Sequence, residues 1–101
     1  IVYRNQISAG SSATIRMEQN HSYQITFSHP STSSGYENSR GFYICSAYNF
    51  NNNYDYIAIT PVKEATNITF TQSTMDLTIS VANNTAWCTI VDLGSRTDII
   101  P

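Results

Sequence analysis

The sequence predicts an all-β domain, an antiparallel β-sandwich of the jelly-roll type with about eight strands. Apolar and polar residues alternate over short segments, which is the pattern of strands with one buried face. Clusters of Ser, Asn, Gly and Pro separate these segments at hairpin-like spacing. No segment of ten residues has helical periodicity, and the 101 residues suffice for one domain, 1–101, but not for two.

The first part of the chain contains three candidate strands, at residues 2–7, 13–17 and 23–27. Polar residues at 19–21 turn the chain between the second and third strands, which we expect to form a hairpin. Residues 29–39 form a loop by composition, because their many hydroxyl side chains compete for backbone hydrogen bonds.

The middle of the chain predicts a strand, a recognition loop and a second strand. Residues 41–48 and 54–60 are rich in aromatic and β-branched side chains, which favour strands. The asparagines between them interrupt the pattern. Pro61 ends the second strand, because proline cannot donate a ladder hydrogen bond.

The last part predicts strands at residues 67–71, 77–81 and 86–93. Asn83 and Asn84 supply the left-handed residues of a tight hairpin turn between the last two. The final strand has Trp87 on one face and Cys88 and Ile90 on the other. Apolar residues on both faces predict a central strand.

Composition excludes several partners. The net charge is −2 and Lys63 is the only lysine, so we expect no nucleic acid partner. No apolar run approaches the ~20 residues of a membrane span, so we expect no membrane insertion. Only 12% of the residues are charged, and the abundant Ser, Thr, Asn and Tyr are typical of extracellular or particle surfaces. The start at Ile1 suggests a fragment from the C-terminal part of a longer chain.

Four segments together resemble the small C-terminal head domains of bacteriophage tail fibres and receptor-binding proteins. They are ISAGSSATIRM, SRGFYICSAY, YDYIAIT and MDLTISVANNTAWCTIVDL, and the resemblance covers residues 7–93. It implies a β-sandwich head, usually a homotrimer, that binds host-surface glycans at the tip of a fibre on the virion. Such families share no fixed binding residues, so none is carried over. The chain departs from the family pattern in its loops HPSTSSGYENS and YNFNNNY.

The second of these loops is the main candidate site. Saccharide sites need flat apolar surfaces for the C–H faces of sugars and planar amides for their hydroxyls. The loop offers both in Tyr48, Phe50, Asn51, Asn52, Asn53 and Tyr54. Tyr36 and Asn38 offer the same chemistry in the other loop. The alternative is a solvated loop whose asparagines only satisfy turns.

Other residues carry competing interpretations. Trp87 can stack on a ligand, but its apolar strand favours a core or subunit-interface position. Cys45 and Cys88 form either one disulfide or two buried thiols. The histidines at 21 and 29 lack the spacing of a metal site, and we expect neither metal nor cofactor. The acids Glu37 and Asp55 lie in loops and are more typical of a solvated surface than of a hydrolase pair.

The predicted function is therefore non-enzymatic recognition of a bacterial cell-surface saccharide or a teichoic-acid-like polymer by a trimeric fibre head. One alternative is a secreted carbohydrate-binding module attached to a glycoside hydrolase, which would be monomeric. The other is a structural decoration domain of a capsid or fibre without a ligand.

Overall fold

The computed structural model describes residues 2–50 and 54–95, without the side chains of residues 49, 50 and 54. The described part contains eight β-strands and one short 3₁₀ helix. In chain order they are β1 (Tyr3–Ile7), β2 (Ser12–Arg16), β3 (His21–Ser28), the 3₁₀ helix (Ser34–Ser39), β4 (Gly41–Phe50), β5 (Tyr54–Lys63), β6 (Ile68–Ser73), β7 (Asp76–Val81) and β8 (Ala86–Ser95). The prediction of an all-β domain is confirmed. Within the described residues, no helix has the length and apolar character needed to cross a membrane.

The strands form two antiparallel sheets. The larger sheet has the order β1-β8-β3-β4-β5, and the smaller has the order β2-β7-β6. β8 lies between β1 and β3, so the prediction of a central last strand is confirmed. β4 and β5 pair from Phe50↔Tyr54 back towards Phe42↔Lys63, which confirms the two predicted strands as neighbours. Asn49 and Phe50, predicted to lie in the loop, belong to β4 instead, and residues 51–53 lie outside the described residues.

The core lies between the two sheets, because the alternating apolar side chains of both face inwards. Ile25 and Ile90 of the larger sheet and Ile79 of the smaller sheet are fully buried in one cluster. The ring of Phe70 on β6 contacts those of Phe27 and Tyr43 at centroid distances of 6.0 and 4.9 Å. These aromatic contacts join the two sheets across the core.

Two predicted hairpins are wrong. β2 and β3 belong to different sheets, and so do β7 and β8. The short connections between these strands cross from one sheet to the other. β2 pairs with β7 and β3 with β4 and β8, whereas β7 also pairs with β6. The pair β2·β7 lies within the pair β1·β8 along the chain, and both are present. The next pair inwards, β3·β6, is absent, because β3 pairs with β4 and β6 pairs with β7. The jelly-roll part of the prediction is therefore not confirmed.

Two local predictions are also wrong. Asn83 and Asn84 are not left-handed: among the described residues other than glycine, positive φ occurs at Asn20 (69°) and Thr74 (52°). Pro61 does not end β5, which continues to Lys63. Proline is tolerated there because β5 is an edge strand and the register shifts beside it.

A buried amide network fastens the loops at one end of the sandwich. Asn67 is 5% exposed, and its Oδ1 accepts from the backbone N–H of Asn83 at 2.8 Å. Its Nδ2 donates to Ser39 Oγ at 3.1 Å and to the carbonyl of Asn84 at 2.8 Å. The backbone N–H of Asn67 donates to the carbonyl of Asn38 at 2.9 Å. The 3₁₀ helix, the start of β6 and the connection before β8 are thus held together.

Candidate functional site

The outer faces of the two sheets differ in chemistry. On the smaller sheet, short polar side chains pair with one another across the strands. These pairs are Ser12–Ser80 at 2.9 Å, Thr14–Thr78 at 2.9 Å and Arg16–Asp76 at 3.4 Å. Their polar groups are largely satisfied within the sheet, so this face offers little to an apolar ligand surface.

The outer face of the larger sheet carries aromatic and aliphatic side chains among short polar ones. Ile44, Tyr48 and Tyr56 are 41%, 36% and 45% exposed there. Ile44 and Tyr48 lie outwards because they alternate along β4 with the buried Cys45, and Tyr56 lies on the same face because it pairs with Tyr48. Exposed aromatic surface beside hydroxyl and amide groups is what saccharide binding requires. This face is therefore the candidate functional surface, and it contains a groove at each end of β3.

The first groove, which we call the Tyr48 groove, lies where β3 begins and where β4 and β8 end. Its lining includes Asn20, Ser22, Ser46, Tyr48, Leu93 and Ser95. The Tyr48 ring stacks on that of Tyr56 with a centroid distance of 5.5 Å and an interplanar angle of 17°. The two rings form one aromatic platform beside hydroxyl and amide groups. Such an arrangement can hold the apolar face and the hydroxyls of a sugar.

Gln72 on β6 positions this platform by holding the edge of β5. Its Oε1 accepts from the backbone N–H of Ile57 at 3.2 Å, and its Nε2 donates to the carbonyl of Asp55 at 2.5 Å. The amide thus bonds to β5 on both sides of Tyr56, as a neighbouring strand would. The start of β5 is anchored to the other sheet, and the direction of Tyr56 is set with it.

The structure divides the residues predicted to bind a ligand. Tyr48 lines a groove, and its role in binding stays a prediction. Asn51, Asn52 and Asn53 lie outside the described residues, and so do the side chains of Phe50 and Tyr54. The prediction for those five side chains stays a prediction.

Tyr36 and Asn38 do not join Tyr48, because they lie at the opposite end of the sheet. The Tyr36 ring stacks on the imidazole of His29 at a centroid distance of 3.9 Å and an angle of 7°. Asn38 Oδ1 accepts from Asn84 Nδ2 at 3.0 Å. Asn38 thus helps to fasten the 3₁₀ helix to the connection before β8, which is a structural role.

The second groove, which we call the Trp87 groove, lies near the stacked pair of Tyr36 and His29. Its lining includes Arg4, Asn5, Gln6, Ser28, Trp87 and Thr89. Trp87 is half-buried on the outer face and does not belong to the core cluster, so the core interpretation of this residue is wrong. Its strand alternates as predicted, with Cys88 inwards, but the alternation did not reveal that its outer face is open. The apolar residues of its strand favoured a core position, and only the pairing of β8 with β1 and β3 places Trp87 beside polar side chains on the outer face.

His21 is not in a turn as predicted but begins β3, between two carboxylates. Its Nδ1 lies 2.8 Å from Asp92 Oδ2, and its Nε2 lies 3.1 Å from Glu18 Oε2. Each ring nitrogen thus lies within hydrogen-bonding distance of one carboxylate. The three side chains are close enough to suggest a metal site. However, the two carboxylates bind opposite nitrogens of one ring, whereas a metal takes only one of those nitrogens. The arrangement fits a structural clamp better than a metal centre.

The surroundings of Asp92 shift the pKa of its carboxyl group. Burial raises its pKa, but hydrogen bonds from the Gly94 backbone N–H at 2.7 Å and from His21 outweigh that effect. The net result is a pKa below its ordinary value of 3.8. The carboxylate is therefore stabilised in its charged form.

The cysteines are two buried thiols and do not form a disulfide. β4 and β8 lie on opposite sides of β3, so Cys45 and Cys88 are at least two strand spacings, about 9–10 Å, apart. That separation exceeds the reach of a disulfide. Burial raises the pKa of Cys45 to about 11 and that of Cys88 to about 12.

The two acids weighed as a hydrolase pair do not meet. Glu37 accepts from Arg40 at 2.9 Å and lies 3.5 Å from Lys63 at the end of β5. These cations hold the pKa of Glu37 below its usual range, the hydrogen bond from Arg40 contributing most. Asp55 lies near the start of β5, eight residues before Lys63, which is about 26 Å along an extended strand. Glycosidase carboxylates are separated by less than about 10 Å.

Comparison of the chain with protein-family models, with curated proteins and with solved structures finds no match. The resemblance to fibre head domains therefore stays a prediction.

Proposed function

We propose that this domain is a non-enzymatic recognition module that binds bacterial surface saccharide through the outer face of its larger sheet, in the manner of a phage fibre head. The observation that carries the proposal is the contrast between the two outer faces. One presents the Tyr48–Tyr56 platform beside hydroxyl and amide groups, whereas the other is covered by mutually paired polar side chains.

The Tyr48 groove suits a sugar unit for two reasons. Its stacked rings are exposed, so they can cover the C–H face of a pyranose without displacing core contacts. Ser22 and Ser46 face each other across β3 and β4 and supply hydroxyls that both donate and accept. The groove is open, so each site is expected to bind weakly, and repetition in an oligomer would raise the avidity.

The test is binding of the purified domain to an array of polysaccharides from bacterial surfaces. Replacing Tyr48 and Tyr56 together by alanine removes the platform, and we expect the affinity for a bound glycan to fall at least about tenfold. The matched control replaces Thr14 and Thr78, which face outwards on the smaller sheet, and should bind as the wild type does. Retention of no glycan, or equal loss in the control, would contradict the proposal.

Assembly as a homotrimer is part of the proposal, and the solution mass tests it. Light scattering should give three times the 11.3 kDa of one chain. A mass of 11.3 kDa together with glycan binding would instead favour the secreted carbohydrate-binding module.

A further inference from the structure

The Trp87 groove has the components of a second binding site, with a chemistry different from that of the Tyr48 groove. Pairing of β1, β8 and β3 brings Gln6, Trp87 and Ser28 side by side across three strands. Arg4 lies two residues before Gln6 on the same face, beside Thr89. A broad indole surface is thus flanked by an amide, a hydroxyl and a guanidinium group.

The indole packs against the ring of a neighbouring residue. The imidazole of His29 meets Trp87 edge to face, with a centroid distance of 5.0 Å and an angle of 90°. His29 is itself fixed, since its Nδ1 accepts from the backbone N–H of Ser31 at 3.1 Å and its ring stacks on Tyr36. A ring packed in this way loses little freedom when a ligand stacks on it, which favours binding.

Arg4 is the cation that distinguishes this groove. Arg16, Arg40 and Lys63 each have a carboxylate within 3.5 Å. In the part of the chain that the structure describes, Arg4 is the one arginine or lysine without such a partner. Its exposed guanidinium lines the groove, so it can pair with an anionic group of a ligand.

We propose that the Trp87 groove binds a sugar unit that carries a negative charge. Trp87 stacks on the apolar face of the ring, and Arg4 forms charge-assisted hydrogen bonds to its carboxylate or phosphate. Gln6 and Ser28 take the neighbouring hydroxyls. The inference rests on the proposed function only for the general class of ligand, a saccharide, because the site shares no residue with the Tyr48 groove.

Trp87 reports on its own site, because it is the only tryptophan in the chain. Its fluorescence is followed while trigalacturonic acid is added at low salt, and the matched neutral probe is the methyl ester of the same trisaccharide. A glycerol phosphate oligomer is the third probe, which separates phosphate from carboxylate as the source of the charge. We expect at least one anionic probe to change the fluorescence and to bind about tenfold more tightly than the ester.

The decisive variant is Arg4→Gln, with Arg16→Gln as a control of equal charge on the other sheet. Arg4→Gln should weaken binding of the anionic probe about tenfold and remove most of its salt dependence, whereas Arg16→Gln should change neither. Arg4→Lys keeps the charge without the bidentate geometry, so it should recover part of the affinity. Circular dichroism establishes that each variant is folded.

Three results would overturn the inference. They are equal affinity for acid and ester, equal effects of Arg4→Gln and Arg16→Gln, and no fluorescence change with any probe. If Trp87 gives no response while array binding still depends on Tyr48, the inference about this groove fails and the proposed function stands. If array binding does not depend on Tyr48 but the anionic probes bind at Trp87, the assignment of the Tyr48 groove fails instead.

Discussion

Replacing Asn67 by alanine removes the buried side chain that joins three segments near the Trp87 groove. Three hydrogen bonds disappear, namely those to the Asn83 N–H, to Ser39 Oγ and to the Asn84 carbonyl. At about 1 kcal/mol each, the expected loss in the free energy of unfolding is about 3 kcal/mol. Because small domains are stable by only roughly 5–15 kcal/mol, this is a large fraction of the total.

Urea unfolding followed by Trp87 fluorescence measures the loss. With a slope of about 1–1.5 kcal/mol per molar urea, the midpoint should fall by roughly 2–3 M. The matched control is Asn83→Ala, because the Asn83 side chain is exposed and its backbone N–H remains available to Asn67. The control should stay within about 0.5 kcal/mol of the wild type. A loss below about 1 kcal/mol for Asn67→Ala would refute the reasoning that this network holds the loops.

Three further predictions follow from burial and charge. Gly41→Ala places a methyl group 2.8 Å from the Cβ of the fully buried Ala65, and should lower the free energy of unfolding by about 1–3 kcal/mol in the same urea assay. Cys45 and Cys88 should not react with a disulfide reagent at pH 8 until the domain unfolds, because their raised pKa values keep both thiols protonated. Labelling of the native protein would contradict their burial. The lowered pKa of Asp92 means that its carboxylate stabilises the fold above its ordinary value of 3.8, and that this stabilisation is lost as pH falls through the folded pKa. Asp92→Asn should therefore show a smaller loss of stability than the wild type in acid denaturation, and an identical acid profile would count against the clamp.

The alternation of apolar residues predicted which residues form strands and which face of each is buried, but not which strands pair. Leu77 and Ile79 alternate clearly and are buried as expected. The same alternation is expected whether β7 pairs with β8 in a hairpin or the chain crosses to the other sheet after β7. Alternation specifies which face of a strand is buried, but not which strand lies beside it. The asparagine-containing connections at 19–21 and 83–84 favoured hairpins, but both cross between the sheets. The polar residues at 72–74 also indicated a turn, and there the hairpin between β6 and β7 forms, with Thr74 at a φ of 52°.

The candidate sites depended on that pairing, and so the sequence could indicate them only in part. Tyr48 lies on a strand whose outer face is readable from its own alternation. Arg4 and Trp87 are brought together only by the pairing of β1 with β8, and His21 meets Asp92 only by the pairing of β3 with β8. No local spacing connects residues that are more than seventy positions apart, so these contacts were not predicted.

The two grooves are joined by one strand, and this constrains what the domain can recognise. Ser22 belongs to the Tyr48 groove and Ser28 to the Trp87 groove, six residues apart on β3, which is about 20 Å. A single sugar cannot reach both, whereas an extended polymer lying along β3 can. If both proposed sites bind such a ligand, the second contact is intramolecular, and two weak grooves would act at a high effective concentration. Affinity should therefore rise steeply with glycan length once the chain spans both grooves, which is the behaviour that recognition of a surface polymer, rather than of a free sugar, requires.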